Sequence, residues 1–234
     1  EKDIDGDTPL HVACRFGASL DVISLLLSSW SDAVKEKNGL SQTPLFVACD
    51  YGASFDVISA LLSSWPDAVK EKDNDGWTPL HLACCYDTSL NVISLLLSSW
   101  SDAAREKDID GDTPLHIACR KETSLDAVQL LLDQWLKAAE NRKSYSVDSL
   151  ADNDTPMEAS NLLSNVSSLF NDKLNNPTPH DIMSFFININ WWNGAWLVID
   201  RYPTVTKSFS LHTNVMADFL SKAGKRCSLT TMCN

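Results

Sequence analysis

Four residue patterns in this chain could carry chemistry, and each can be tested against its spacing. Cys14, Cys49, Cys84 and Cys119 recur every 35 residues, as thiols for a metal or for disulfides would. His11, His81 and His116 keep the same interval, with Phe46 at the matching place, and could serve as general bases. Asp3-Ile4-Asp5-Gly6-Asp7 and Asp108-Ile109-Asp110-Gly111-Asp112 resemble the opening of a calcium loop. His180, Asp181 and His212 are the titratable side chains that stand out in the C-terminal third.

None of these patterns passes its chemical test. Equivalent positions on stacked helices lie about 8–10 Å apart. That exceeds the ~7 Å limit for a disulfide and is too far for one zinc ion to gather four thiolates. The cysteines are therefore expected to be reduced core residues. A histidine base needs a nucleophile and an orienting acid, and a residue repeated with the fold period instead predicts a structural hydrogen bond. A calcium loop of the EF-hand kind needs Gly at position 6 and Glu at position 12. Here Gly stands at position 4, and Cys14 or Cys119 falls at position 12. No glycine-rich phosphate loop, nucleophile elbow or paired zinc-protease histidine occurs. The chain is expected not to be an enzyme and to need no cofactor or metal. The alternative is a regulatory subunit or an enzyme with an unrecognised activity in residues 155–234.

The elements that carry these residues follow from one repeat. Thr-Pro-Leu recurs at Thr8, Thr43, Thr78 and Thr113, always 35 residues apart. Thr is a good helix N-cap, and Pro at the first helical position loses nothing by lacking an N–H. A short helix is thus predicted from Pro9 to Gly17, where positive φ suits a stop. A second helix follows through Leu20, Val22, Ile23, Leu25, Leu26 and Leu27. It is too apolar for a solvated rod and must be sandwiched between neighbours. Trp30, Trp65, Trp100 and Trp135 each end such a leucine run and are read as covers for the helix end.

Asp5-Gly6-Asp7-Thr8-Pro9-Leu10-His11-Val12-Ala13-Cys14 and Gly76-Trp77-Thr78-Pro79-Leu80-His81-Leu82-Ala83-Cys84 resemble the signature of ankyrin repeats. The resemblance covers about residues 3–141 as four units, at about 3–37, 38–72, 73–107 and 108–141, within a repeat domain of residues 1–141. It implies an all-α fold: an ankyrin-type helical solenoid of stacked helix-turn-helix repeats with finger loops and a concave binding face. The period exceeds the family's usual ~33 residues by two. The usual Gly after the second helix is replaced by Ser28-Ser29-Trp30 or Ser63-Ser64-Trp65-Pro66. Pro66-Asp67-Ala68 predicts a short extra helical turn there in place of a regular β-hairpin finger.

Residues 142–154 are polar and read as a linker. Residues 155–234 carry weakened echoes, at Asp154-Thr155-Pro156-Met157 and Thr178-Pro179-His180, and are expected to be degenerate helical repeats that cap the stack. The opening Glu1-Lys2-Asp3-Ile4-Asp5-Gly6 returns at Glu106–Gly111, so further repeats are expected before it.

Function is read from what varies between repeats. The resemblance implies a concave face built from the finger residue before Thr-Pro and from the end of the first helix. By position these are Asp7, Gln42, Trp77 and Asp112, with Arg15-Phe16, Asp50-Tyr51, Cys85-Tyr86 and Arg120-Lys121. The partner-binding residues are expected among Asp7, Arg15, Phe16, Gln42, Tyr51, Trp77, Tyr86, Asp112, Arg120 and Lys121. Phe16, Tyr51 and Tyr86 would form an aromatic strip about 20 Å long.

Charge narrows the partner. The chain carries net charge −12. Residues 1–140 hold 23 acidic and 11 basic side chains, and the remainder holds 8 of each. Nucleic acid is therefore an unexpected ligand. A protein with a basic, partly apolar surface is expected, bound as a protein-protein interaction scaffold. Ile182–Ile199 lacks charge, but Asn188, Asn190, Asn193 and Gly194 argue against a membrane span. A monomer in the cytoplasm or nucleus is the remaining expectation, with no secretory signal opening the chain.

Overall fold

The structure, a computed structural model, describes residues 2–205 apart from 87, 122 and 172–176. The described residues form twelve α-helices and no strand. They divide into two compact units, Glu1–Asn141 with Ser149–Ser160 and Arg142–Asp148 with Asn161–Asn234.

The first unit contains four helix pairs at the 35-residue period. These are α1 (Pro9–Arg15) with α2 (Leu20–Ser29), α3 (Pro44–Asp50) with α4 (Phe55–Ser64), α5 (Pro79–Cys85) with α6 (Leu90–Ser99), and α7 (Pro114–Arg120) with α8 (Leu125–Trp135). The first helices pack on one another in order, and the second helices form a parallel row behind them. Stacking explains the apolar second helices. Leu61, Leu96 and Leu131 are fully buried between neighbours. Val22 and Leu25 of α2, by contrast, are exposed on the leading face of the first pair.

Each first helix begins as its sequence dictates. Thr8 is extended and precedes Pro at the first helical turn. The His11 backbone N–H donates to Thr8 Oγ1 at 3.4 Å, and the Thr8 N–H donates to His11 Nδ1 at 3.2 Å. That reciprocal capping box satisfies two orphan donors at once. It recurs at Thr78–His81 and Thr113–His116. Phe46 supplies only half of it, through its N–H to Thr43 Oγ1 at 3.2 Å. The histidine also looks across the stack. His11 Nε2 lies 3.0 Å from the Gln42 carbonyl and His81 Nε2 lies 3.3 Å from the Asp112 carbonyl. With Nδ1 accepting, Nε2 carries the hydrogen and donates to the next repeat. The structural role expected of these histidines is thus found, as a capping box in all three and, in His11 and His81, as a bond between repeats.

The four cysteines of the ladder are buried on the first helices. Burial pushes the Cys14 thiol up to about 12, and raises Cys49, Cys84 and Cys119 likewise. The tryptophan ladder is graded: Trp30 is exposed, Trp65 and Trp100 are half-buried and Trp135 is buried. After each of the first three tryptophans the chain makes a 3₁₀ turn, at Ser31–Lys35, Pro66–Lys70 and Ser101–Arg105. These turns bury Ala33 and Val34, Ala68 and Val69, or Ala103 and Ala104 in place of the missing glycine stop.

The fingers are turns pinned to each other rather than hairpins. Asp3 Oδ1 accepts the N–H groups of Asp5 and Asp7 at 3.0 and 2.8 Å, and Asp73 and Asp108 repeat the pattern. Neighbouring fingers are joined by backbone bonds from Gly39 to Asp5, Asn74 to Leu40 and Ile109 to Asp75, at 2.8, 3.3 and 3.1 Å. Outside them run Lys2–Glu36, Lys37–Glu71 and Lys72–Glu106 at 2.7, 2.7 and 2.9 Å. Such part-exposed pairs add little stability singly but fix the register.

The second unit includes α9 (Ser144–Asp148), which lies inside the segment read as a linker. α10 (Met157–Leu169) crosses the division between the units. α11 (Pro179–Asn188) and α12 (Trp192–Arg201) form a further packed pair. Its start repeats the local logic of the first unit: Thr178 and Asp181 close a capping box with Pro179 at the first turn. Phe186 meets Trp191 edge-on at 4.8 Å, and a Cβ at Gly194 would overlap the Trp191 ring. Residues 206–234 of the expected cap lie outside the described residues. Among the described residues no helix is long and apolar enough to cross a membrane.

Two outcomes test this construction. Gly76 sits at φ +79°, and a Cβ there would stand 3.2 Å from Asp108 Cα of the next finger. Gly76→Ala is therefore expected to cost about 1–3 kcal/mol, measured by urea denaturation. Its counterpart Ser41 tolerates φ +63° in the second finger, so Ser41→Gly is expected to leave the midpoint unchanged or raise it. The second outcome concerns pH. Burial pushes the His81 imidazole down from its ordinary 6.5 to about 4. The unfolded chain takes up that proton first, so the stabilisation is complete above about 6.5 and is lost as the pH falls towards about 4. His81→Phe, which copies the second repeat, is expected to flatten the pH dependence of the urea midpoint in that window, by on the order of 3 kcal/mol at its acid end.

Candidate functional site

Finger and first-helix end meet in the first and fourth repeats, where Asp7 pairs with Arg15 and Asp112 with Arg120, and the side chains at these positions fall into two classes. One class is exposed and apolar. Phe16, Tyr51 and Tyr86 follow α1, α3 and α5 as their C-caps and are 79%, 53% and 55% exposed. A ring at a helix C-cap has no following turn to cover it, so the three remain open to solvent. Burying such rings against a partner removes large apolar area at little entropic cost.

The other class is held by internal bonds. Asp7 is only 1% exposed, which corrects its reading as a surface contact. Its backbone N–H is held by Asp3, its Oδ1 accepts from Asn38 Nδ2 at 2.9 Å, and its Oδ2 pairs with Arg15. Arg15 in turn lies 5.7 Å above the Tyr51 ring, so the finger of the first repeat positions an aromatic of the second. Gln42 is half-buried, its Oε1 taking the other hydrogen of Asn38 Nδ2 at 3.2 Å. Trp77 is also half-buried, with its ring centroid 5.9 Å from that of His81, so it covers the capping box more than it meets solvent.

At the far end, Arg120 makes a two-pronged pair with Asp112 and reaches Asp152 at 2.9 Å. Lys121 is exposed. The repeat period carried the readings of Asp112 and Arg120 but gave no signal for Asp152, which lies in the irregular segment after α9. Asn38 was missed for a related reason: no other finger has an asparagine in its place, where Asp3, Asp73 and Asp108 stand.

Titration follows this geometry. Burial raises the Asp50 carboxyl, with Arg15 opposing and Asp73 adding to the shift. The charge of Asp50 is the first cause that raises the Tyr86 phenol. Burial raises the Cys85 thiol, and Lys121 offsets part of that. Among the described residues no group of His, Cys, Asp and Glu could hold a metal ion.

If the three rings serve a partner and not the fold, their loss should leave the fold intact. Phe16→Ala, Tyr51→Ala and Tyr86→Ala are each expected to move stability by no more than about 0.5 kcal/mol. Leu45→Ala, fully buried in the same layer, is expected to cost about 2–5 kcal/mol. Thermal melts of the four variants make the comparison.

A comparison with curated proteins finds no match. A family model described as ankyrin repeats (3 copies) matches the chain over residues 1–68 and again over 55–144. Repeats of this family are generally protein-protein interaction modules and generally not enzymes. Matched over more than half of its length, and built of helix pairs stacked at a fixed period, the chain belongs to the ankyrin repeat family.

Proposed function

We propose that this chain is a scaffold that holds a partner protein on the face carrying Phe16, Tyr51 and Tyr86. One observation carries the reading. Three large rings stay open to solvent at successive positions of a stack whose other first-helix apolar residues are largely buried. An aligned set of exposed aromatics is what a binding hot spot requires, and scattered surface packing does not require it.

Gln42, Trp77 and the ion-paired Arg15, Asp112 and Arg120 frame the strip, with Lys121 at its edge. The frame fixes the rings and supplies a polar rim. The excess of acidic side chains in residues 1–140 favours a basic, partly apolar partner surface. Steering by that charge speeds encounter and weakens with salt. The scaffold acts as a monomer and binds neither nucleic acid nor membrane.

Capture from a lysate of the source cells tests the face. The chain and a Phe16→Ala, Tyr51→Ala, Trp77→Ala, Tyr86→Ala variant are immobilised, and the retained proteins are compared by mass spectrometry. A protein retained by the original and lost from the folded variant is expected. Equal retention by both would remove this face from the reading.

A further inference from the structure

The last residue of each first helix shares a register with the finger of its own repeat. In the outer repeats this register closes an ion pair, Arg15 with Asp7 and Arg120 with Asp112. Those arginines also suit the helix end, because a cation complements the negative pole of the helix dipole. The second repeat inverts the sign. Asp50 ends α3, and the finger in its register offers only Gln42, whose Oε1 is engaged by Asn38.

Asp50 therefore breaks two local rules. A carboxylate at a helix C-terminus faces the wrong pole of the dipole. It is also half-buried, and among the described residues it makes no hydrogen bond or ion pair. Arg15, committed to Asp7, offsets the burial of this carboxylate only in part, and local rules broken in this way are expected at functional positions. The surroundings name the missing group. Tyr51 follows Asp50 directly, Tyr86 occupies the same place one repeat on, and both rings are exposed. Because α3 packs directly on α5, the end of α3 that carries Asp50 and Tyr51 lies beside the end of α5 that carries Tyr86. Arg15 already lies over Tyr51, so a guanidinium is accepted on one of the two rings, and Tyr86 offers its face without such an internal arginine among the described residues.

We infer that Asp50, Tyr51 and Tyr86 form a seat for an arginine side chain of the partner protein. Arginine alone among the side chains can pair its planar fork with a carboxylate while stacking that plane on an aromatic face. Lysine, a strongly hydrated point charge, gains the carboxylate but not the stacking. This seat rests on the proposed binding face and specifies what enters it.

The test uses N-acetyl-arginine amide as probe, with N-acetyl-citrulline amide as its neutral isostere and N-acetyl-lysine amide as the point charge. Backbone amide shifts of the whole chain are followed by NMR titration. Saturable shifts at Asp50, Tyr51 and Tyr86 are expected with the arginine probe, weaker with lysine and absent with citrulline. Asp50→Asn is expected to weaken the arginine probe about tenfold, the scale of a lost charge-assisted bond. Its melting midpoint should be unchanged or higher, because an unpaired carboxylate has been removed. Equal shifts with citrulline, no saturable shift, or a clear fall in the Asp50→Asn midpoint would each overturn the seat. If the capture experiment loses its partner with the aromatics while Asp50→Asn retains it, the face stands and the arginine seat falls.

Discussion

One helix pair of this protein cannot bury its own apolar faces, and the rest of the first unit follows from that. Ile23, Ile58, Ile93 and Val128 lie inside the second-helix row, and Leu45, Leu80 and Leu115 inside the first. Each is covered by its own pair and its neighbours together. Burial of a leucine or isoleucine is worth about 2 kcal/mol, so several at every junction dominate the directional bonds that decorate them. The period of 35 residues is the spacing that returns the same apolar surface to each junction. Everything polar in the repeat is free to set register, to close the helix ends or to face outward.

Register is then set by bonds too weak to drive the stacking but specific enough to align it. The finger rungs, the lysine–glutamate pairs and the histidine bond to the next repeat all span adjacent units. The second junction departs from this scheme. Phe46, buried in place of histidine, offers no ring nitrogen to the third finger, and apolar packing replaces the bond. Ser41 takes the positive φ that glycine takes in the other three fingers. The second repeat is thus where the local rules loosen, and it also supplies Asp50 and Tyr51 to the proposed face.

The fold was legible because its signals repeat. Thr-Pro, the leucine runs and the cysteine and histidine ladders each occur three or four times, so accidental matches cancel. The extra turn suggested by Pro66-Asp67-Ala68 is present, and it recurs at Ser31 and Ser101, where no proline marks it. The candidate site was legible only in part, because it is made from what does not repeat. Position placed Asp7 on the face. Its burial depends on Asn38, which supplies a donor at the second finger where the third and fourth carry aspartates. Trp77 likewise turns towards His81, a choice set by the neighbouring capping box and invisible to spacing.

That division bears on how such a surface acquires specificity. Residues common to all repeats cannot change without weakening several junctions, whereas the helix ends and finger tips touch few neighbours. Two of the four helix ends, Arg15 and Arg120, have been tied off by acids of their own finger, which removes their charge from recognition. Cys85 is half-buried and carries no formal charge while its thiol is protonated. Among the described residues Asp50 is the charged one of the four helix ends that closes no ion pair of its own, Arg15 offsetting it only at a distance, and it stands next to the exposed Tyr51. A uniformly acidic surface would attract any basic protein, with affinity that salt removes. A single half-buried carboxylate flanked by aromatics discriminates by shape as well as by sign, because a cation that fails to stack leaves the rings wet. In the proposed scaffold the long-range charge of the unit and the local chemistry of its second repeat thus do different work, the first raising the rate of encounter and the second deciding which encounter persists.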